Sequence, residues 1–386
     1  MAMIRMTNQK KELTPDWDPW DPWYTRVEKG RYELTSVEFT VTQLCNLRCE
    51  HCAVGEELVE REGIPIPVER LIAALEEIDT LKTVSITGGE PVLNPGVVQN
   101  TIQPLLKYCK ERGIYTQLNS NLTLPLNRYL DWIDDLDVLH ISYNYRDEKD
   151  FYRMAFKNFG KEIKPKVAER LYEQMIDNAR ELSKRGVFVS AESLLSPFTA
   201  KYIEKMHQTV AEMGCKRHEV HPLYPSDFAK NMELLSLDEY REAVWKLLDH
   251  RHPDVWVLFG TLPFYPCSDK KEDRELWRRL HQEANVTVRQ DPDGRNRLNV
   301  NVFTGDVIVT DFGDVPPLGN IHRDRLSDVF ERWLNSPVAK EVHCFCKEAR
   351  CAGPNLLVKN AYYPHWDFQN RQAKVRVGRR ESLDLL

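Results

Sequence analysis

Three cysteines stand close together in the segment Cys45-Asn-Leu-Arg-Cys49-Glu-His-Cys52. Thiolates are the usual ligands of iron–sulfur clusters, and a [4Fe–4S] cluster normally takes four of them. Three cysteines therefore leave one iron open to a ligand that can also take part in chemistry. A zinc site on the same cysteines is the main alternative, because Cys-x-x-Cys spacing is common in zinc sites. A disulfide is disfavoured, since nothing in the sequence marks the chain for secretion.

A second motif, Gly88-Gly89-Glu90-Pro91, follows an apolar run that predicts a buried strand over residues 81–87. Two glycines at the C-terminal end of a strand let a ligand approach the backbone, because no Cβ is in the way. Glu90 offers a carboxylate to the ammonium group of such a ligand, and Pro91 stiffens the turn. Taken alone, the motif is also typical of a tight strand-to-helix turn.

Together the two motifs resemble those of the radical S-adenosylmethionine (SAM) superfamily. The resemblance implies that the three cysteines hold a [4Fe–4S] cluster whose open iron is chelated by the amino and carboxylate groups of SAM. It also implies that the Gly-Gly-Glu segment faces the methionine end of SAM and that His51 lies near the adenine. The implied activity is reductive cleavage of SAM to a 5′-deoxyadenosyl radical, which abstracts a hydrogen atom from a substrate. Such an enzyme is an oxidoreductase or a transferase.

The composition is that of an ordinary globular protein. The 386 residues are 42% hydrophobic and 29% charged, and the formal net charge is −6. This charge disfavours a general nucleic-acid binder, for which a basic surface is expected. The sequence has no run of roughly eighteen apolar residues that would predict a membrane span, and residues 1–6 lack a secretory apolar region. We therefore expect a cytoplasmic protein whose cysteines are available to metals.

Strands and helices alternate from residue 37 onward. Strands are predicted over six segments: 37–43, 83–87, 114–119, 137–142, 187–192 and 215–220. Amphipathic segments between them predict helices, for example over residues 68–78 and 165–176. This alternation indicates an α/β fold with right-handed parallel connections, and the resemblance implies an open (β/α)6 partial TIM barrel. A Rossmann sheet also fits the alternation, but no Gly-x-Gly-x-x-Gly follows the first strand.

Polar residues end the third, fourth and fifth predicted strands, where an α/β barrel places its active site. The resemblance implies that strand ends of this kind hold the ribose and carboxylate of SAM. For these contacts we select Asn119, Ser142 and Glu192. Asparagine and serine are also common in caps and turns, so a purely structural role stays open.

Residues 1–30 predict an extension that precedes a barrel domain over residues 31–235. Trp17, Trp20 and Trp23 alternate with prolines there, which disfavours a regular helix through this run. We expect an extended arm packed on the body of the protein. A flap of exposed aromatic residues that covers a substrate or binds a partner is the alternative.

The C-terminal domain predicted over residues 236–386 contains a β-hairpin, an amphipathic helix over residues 326–334 and a second cysteine group. Cys344, Cys346 and Cys351 lie within eight residues of one another, and Cys267 is the natural fourth ligand. Four thiolates would complete an iron–sulfur cluster or a closed zinc site, and the sequence does not separate the two. His343 is a weaker candidate for the fourth position.

This C-terminal arrangement resembles the twitch and SPASM auxiliary-cluster domains of radical SAM maturases, and its Cys-x-Cys-x4-Cys spacing resembles that of the YfkAB-type radical SAM proteins. The resemblance covers nearly the whole chain and favours an auxiliary iron–sulfur cluster. It implies an electron donor such as flavodoxin or ferredoxin. The substrate rests on analogy alone: a peptide or protein is favoured, and a small molecule or nucleoside is the alternative. A non-catalytic iron–sulfur or zinc scaffold is a further alternative, although it would not need the Gly-Gly-Glu-Pro pocket.

Overall fold

The computed structural model describes residues 10–290, 293–309 and 315–377. Eleven strands lie in this part of the chain: β1 (Ser36–Thr40), β2 (Thr83–Thr87), β3 (Tyr115–Ser120), β4 (Val138–Ser142), β5 (Val189–Leu195), β6 (Arg217–Pro222), β7 (Trp256–Gly260), β8 (Val286–Arg289), β9 (Arg297–Asn301), β10 (Asp306–Ile308) and β11 (Gly319–Asn320).

The same part of the chain forms these α-helices: α1 (Pro22–Lys29), α2 (Val68–Glu76), α3 (Pro95–Val97), α4 (Gln103–Arg112), α5 (Asn127–Leu130), α6 (Glu148–Ala155), α7 (Pro165–Lys184), α8 (Ile203–Glu212), α9 (Leu237–His250), α10 (Lys271–Gln282), α11 (Leu326–Leu334), α12 (Pro337–Val342) and α13 (Leu356–Tyr362). A π-helical turn, Val98–Ile102, joins α3 to α4. Short 3-10 helices lie at Gly55–Glu57, Ile133–Asp135, Ala200–Tyr202, Asp227–Asn231, Lys347–Ala349 and Phe368–Asn370. None of these described helices is long and apolar enough to cross a membrane.

All the described strands belong to one sheet, in the order β11-β10-β9-β1-β2-β3-β4-β5-β6-β7-β8. Strands β1 to β8 pair in chain order, and each is parallel to the next. Parallel neighbours require a crossover connection, which the intervening helices supply. Strand β9 adds to the other side of β1, also parallel, and β10 and β11 follow it in antiparallel order.

The predicted α/β architecture is confirmed, and the six predicted strands are β1 to β6. The sheet continues through β7 and β8, which lie in the region that the sequence assigns to the C-terminal domain. The predicted hairpin is β9 and β10, but β9 also pairs with β1, a long-range contact that no local pattern shows. The predicted boundaries at residues 30 and 235 stay predictions.

Strand β1 shows that the sheet has one apolar face and one polar face. Val37 and Phe39 are fully buried in the main hydrophobic core, whereas Glu38 between them lines a central cavity. This alternation follows from the period of two in a strand. The apolar face is packed in the core, and the opposite face carries polar groups toward the interior of the open barrel.

Residues 10–30 pack against the body as expected, but they are not extended throughout, because Pro22–Lys29 forms helix α1. Trp20 is 6% exposed; its indole N–H donates to Ser85 Oγ at 3.1 Å, and its carbonyl accepts from Asn296 Nδ2 at 3.0 Å. Asp18 pairs with Arg289 at 3.0 Å. Because Arg289 ends the edge strand β8 and Asn296 directly precedes β9, the segment contacts residues beside two strands that do not pair with each other. Helix α1 begins at Pro22, since proline suits the first turn of a helix.

Candidate active site

A cavity of about 310 Å³ opens at the C-terminal ends of the parallel strands. This is the end at which α/β barrels place their active sites. Nine of the ten predicted residues of the N-terminal site line it: Cys45, Cys49, His51, Cys52, Gly88, Gly89, Asn119, Ser142 and Glu192. Residues on or directly after the four strands β2 to β5 and residues of the loop after β1 therefore meet in one place.

The loop after β1 is held by the Gly-Gly turn after β2. The Gly89 N–H donates to Thr42 O at 2.8 Å, and the Glu90 N–H donates to Leu44 O at 2.7 Å. Gly88 has a φ of +143°, and a Cβ there would lie 2.3 Å from Thr42 O. The glycines thus allow two backbone segments to touch directly. The cysteine loop depends on this contact for its position.

A second support for the cysteine loop comes from Glu62, which sequence reasoning missed. Its Oε1 accepts from the Gln43 N–H at 2.6 Å and from the Leu44 N–H at 3.3 Å, and it also contacts the Thr42 hydroxyl. On the other side of the loop, the Arg48 guanidinium donates to Cys45 O at 2.8 Å. Glu62 lies in an irregular segment without a recognisable motif, so no pattern in the sequence identifies it.

Glu90 is the predicted site residue that does not line the cavity. It is fully buried, and its carboxylate accepts from Ser120 Oγ at 2.9 Å and from the Asn121 N–H at 2.7 Å. Burial raises the pKa of Glu90 to about 7. The carboxylate therefore ties the Gly-Gly turn to the end of β3. Direct contact with a ligand's ammonium group stays a prediction.

His51 presents a buried hydrogen-bonding atom that has no partner among the described residues. Asn144 Oδ1 accepts from the Leu194 N–H at 2.7 Å, so the Asn144 amide nitrogen faces His51 Nε2, at 3.1 Å. Nε2 is then the acceptor, which places the proton of the neutral ring on Nδ1. Nδ1 is buried and unpartnered in the described structure, and burial lowers the pKa of His51 to about 4.

The three thiols share an environment that disfavours their free ionised form. Burial raises the pKa of Cys45, raises that of Cys49 to about 12 and raises that of Cys52 to about 11. Only the thiolate binds a metal, so metal binding must offset this burial. Cys109 and Cys215, which belong to neither cysteine group, are buried in the main apolar core.

The cavity wall across from the cysteine loop is polar, and sequence reasoning missed most of it. Glu192 accepts from His140 Nε2 at 2.7 Å, and Glu219 pairs with His221 Nε2 at 2.8 Å. Arg289 also pairs with Glu219. The His221 ring occupies the space beside Gly260, where a Cβ would lie 2.0 Å from the ring. These residues point inward because they occupy alternate positions on β4, β5, β6 and β8.

The C-terminal cysteines surround a second cavity, of about 240 Å³. Its wall contains all four predicted ligands and the alternative one: Cys267, Cys344, Cys346, Cys351 and His343. Cys346 and Cys351 are held together by two backbone hydrogen bonds, at 2.8 and 3.0 Å. Gly353 has a φ of +88°, and a Cβ there would lie 2.8 Å from Cys344 Sγ. The glycine thus makes room for this sulfur.

Neither cysteine group, nor any other group of three or more His, Cys, Asp and Glu side chains in the described ranges, is drawn together closely enough to hold a single metal ion. Positive charge lies close to the second group. The Arg371 guanidinium donates to Cys267 O at 3.1 Å, and that of Arg295 donates to Cys344 O at 3.0 Å. These cations act to lower the pKa of Cys267 and of Cys344, but burial outweighs Arg371 at Cys267, whose pKa stays raised.

Comparisons with protein families match two consecutive parts of the chain. Residues 39–210 match the model of the radical SAM superfamily, and residues 223–373 match that of the YfkB-like domain. The protein YfkA of Bacillus subtilis is 51% identical over 365 residues, which make up 94% of this chain and 98% of YfkA.

Comparisons with solved structures show the same fold in distant proteins. SuiB of Streptococcus suis bound to precursor peptide SuiA has a TM-score of 0.58 at 15% identity, with 91% of this chain and 79% of SuiB covered. Native anSMEcpe with bound AdoMet and Cp18Cys peptide has a TM-score of 0.54 at 16% identity, with 77% of this chain and 80% of that chain covered.

Proposed function

The chain belongs to the radical SAM superfamily and carries a YfkB-like C-terminal domain, and we propose that it holds a [4Fe–4S] cluster on Cys45, Cys49 and Cys52 beside a SAM site. The observation that carries this proposal is that the three cysteines and the backbone of Gly88 and Gly89 line one cavity. When bound, the cluster and SAM supply a 5′-deoxyadenosyl radical, formed by reductive cleavage of SAM, for hydrogen abstraction from a substrate.

The residues on the cavity wall fit these two groups. Three thiols from one loop are the donor set of a cluster with an open iron. The two glycines present bare backbone to the methionine end of SAM, and the buried Nδ1–H of His51 is an unpartnered donor of the kind that a bound ligand satisfies. Asn119 and Ser142 offer polar groups to the ribose, and Glu192 offers an acceptor.

The N-terminal segment would protect this chemistry from solvent. A carbon radical must be kept from water and from competing hydrogen donors. Trp20 packs against Tyr115 at the N-terminal end of β3, with ring centroids 6.4 Å apart, and the pair of Asp18 and Arg289 anchors the segment beside the cavity wall. The segment therefore acts as a fixed part of the barrel.

We further propose that Cys267, Cys344, Cys346 and Cys351 hold an auxiliary iron–sulfur cluster. Four cysteines around one cavity match the ligand number of such a cluster, and the neighbouring arginines favour thiolates. A zinc site with the same four ligands is the alternative. Counting iron, sulfide and zinc per chain distinguishes the two.

A peptide or protein is the substrate class that we favour. Two proteins with this fold, SuiB and anSMEcpe, have been solved with peptides bound. The second candidate is a small polar molecule, because the polar side chains of Glu219, His221 and Arg289 line the cavity. Both candidates assume that a substrate reaches the barrel interior.

The function is tested by anaerobic reconstitution with iron and sulfide, followed by dithionite and SAM. We expect 5′-deoxyadenosine to form, and its absence from a protein that holds a cluster would contradict the proposal. To separate the substrate classes, the reaction is repeated with a dialysed cell extract and with the low-mass filtrate of the same extract. Stimulation by the dialysed extract that is lost on protease digestion supports a protein or peptide; stimulation by the filtrate that survives digestion supports a small molecule.

A further inference from the structure

Two of the three cysteines in the radical SAM loop have a polar side chain next to their sulfur. The Tyr145 hydroxyl lies 3.7 Å from Cys49 Sγ, and the Asn121 amide nitrogen lies 3.8 Å from Cys45 Sγ. The Leu47 backbone N–H also donates to Cys45 Sγ, at 3.4 Å. Asn121 directly follows β3 and Tyr145 lies three residues after β4, so neither belongs to the cysteine motif itself.

Neighbouring hydrogen bonds fix the orientation of the Asn121 amide. Its Oδ1 accepts from the Thr123 N–H at 3.0 Å and from the Thr123 hydroxyl at 2.6 Å. Its Nδ2 donates to Asn46 Oδ1 at 2.9 Å. The carbonyl oxygen is thus occupied by donors, so the group that faces Cys45 is the N–H₂.

Packing fixes the position of Tyr145. The residue is 2% exposed, and its ring stands edge-to-face against Phe151, with centroids 4.8 Å apart and an interplanar angle of 81°. On the other side lies His51, with ring centroids 6.1 Å apart. A metal-bound thiolate carries no proton, so in a loaded site the tyrosine hydroxyl must be the donor and Cys49 Sγ the acceptor.

We propose that Tyr145 and Asn121 are positioning residues that donate hydrogen bonds to the cluster's thiolate ligands and raise its reduction potential. Donors to thiolate ligands withdraw negative charge from the cluster, which stabilises the reduced, more negative state. The inference rests on the cluster of the proposed function. It adds that this chain makes the cluster easier to reduce through two side chains outside the Cys-x3-Cys-x2-Cys motif.

The test is an anaerobic potentiometric titration of the reconstituted full chain, followed by EPR of the reduced cluster without SAM. Tyr145→Phe removes the hydroxyl and keeps the ring. A neutral hydrogen bond contributes about 1 kcal/mol net, so we expect the equilibrium constant for reduction to fall about fivefold. For a one-electron couple, a tenfold change in the equilibrium constant corresponds to about 59 mV, so we expect the reduction potential to fall by about 40 mV.

Tyr152→Phe is the matched control. Tyr152 lies on α6, and its hydroxyl donates to Ile163 O at 2.9 Å, so the control removes one tyrosine hydroxyl without touching a sulfur. Its potential should equal that of the unmodified protein. Any shift shared by the two variants would reflect general destabilisation and would contradict the inference.

Asn121→Asp supplies an independent variant. It keeps the oxygen that accepts from Thr123 and replaces the nitrogen that donates toward Cys45 and Asn46 by a carboxylate oxygen, so its potential should fall further than that of Tyr145→Phe. Asn121→Asp also tests the inference if the Tyr145→Phe variant binds no cluster. A full complement of iron with unchanged potential in these variants overturns the inference alone, whereas an unmodified chain that binds no iron overturns the proposed function.

Discussion

Gly89 lies so close to Leu44 that no side chain fits between them. A Cβ on Gly89 would stand 2.2 Å from the Leu44 carbonyl oxygen and 3.1 Å from Cys45 Cβ. The Gly-Gly turn after β2 therefore packs directly against the cysteine loop. A change at this turn would therefore shift the cysteines that we propose as cluster ligands without replacing any of them.

Gly89→Ala should accordingly impair the cluster site. The added methyl group must displace the loop that carries Cys45, so we expect less iron per chain after reconstitution. The rate of 5′-deoxyadenosine formation should fall at least about tenfold, which corresponds to an increase of only about 1.4 kcal/mol in the activation free energy. Gly63→Ala is the control, because a Cβ there meets no atom within 4 Å. Equal iron content and equal activity in the two variants would show that the loop tolerates the shift.

Asp21, at the start of α1, should make stability depend on pH. Burial, and then the neighbouring Asp18 carboxylate, raise the pKa of Asp21 to about 7, from about 3.8 for an ordinary aspartate. The folded chain thus holds a proton that the unfolded chain has lost, so stability falls as pH rises from about 4 to about 7 and then levels off.

Asp21→Asn should remove this pH-dependent loss, since asparagine also caps helices. We expect the free energy of unfolding to rise by at least about 1 kcal/mol at pH 8 and to change little at pH 4. The thermal unfolding midpoints of the variant and the unmodified protein at both pH values test this. Glu60→Gln, which removes an exposed carboxylate, is the charge-matched control. A gain of the same size at both pH values would mean that Asp21 does not hold the proton.

Trp20 should contribute more to stability than its position near the chain start suggests. Truncation of a buried tryptophan to alanine costs roughly 3–5 kcal/mol, and Trp20→Ala also leaves the Ser85 hydroxyl without this partner. We expect a large fall in the free energy of unfolding in denaturant titrations. Trp20→Phe, which keeps most of the ring, should lose much less. A small effect of Trp20→Ala would support the alternative of a loosely attached flap.

Gly353→Ala should impair the second cysteine site selectively, because the new methyl group would crowd Cys344 Sγ. With two [4Fe–4S] clusters, iron should fall from about eight to about four per chain, while 5′-deoxyadenosine still forms. Cys351→Ala should give the same result more completely. Loss of about one zinc per chain instead of iron would favour the zinc alternative.

Local sequence patterns predicted the parts of the fold that depend on short-range order. The strand predicted over residues 83–87 and the helix predicted over residues 326–334 occur with these bounds, because each combines a regular apolar period with clear ends. The pairing of β9 with β1 was not predicted. It depends on which edges of the sheet are free after the barrel forms, and the strand's own residues do not encode that.

The sequence likewise predicted only part of the candidate site. Cysteine spacing and the Gly-Gly turn identified residues that line the cavity, since chemistry constrains residue type at these positions. Tyr145 and Glu62 were missed because a hydrogen bond to the cysteine loop can come from many residue types and loops. Glu90 was identified, but its carboxylate is turned toward Ser120, a direction that side-chain chemistry alone does not predict.

The most direct test of the account is the EPR spectrum of the reduced cluster, recorded with and without SAM on the anaerobically reconstituted protein. If the three cysteines leave one iron open beside a SAM pocket, the addition of SAM should change the spectrum, and Cys45→Ala, Cys49→Ala and Cys52→Ala should each abolish both the signal's response and 5′-deoxyadenosine formation. A fully loaded cluster whose spectrum is the same with and without SAM would contradict the account.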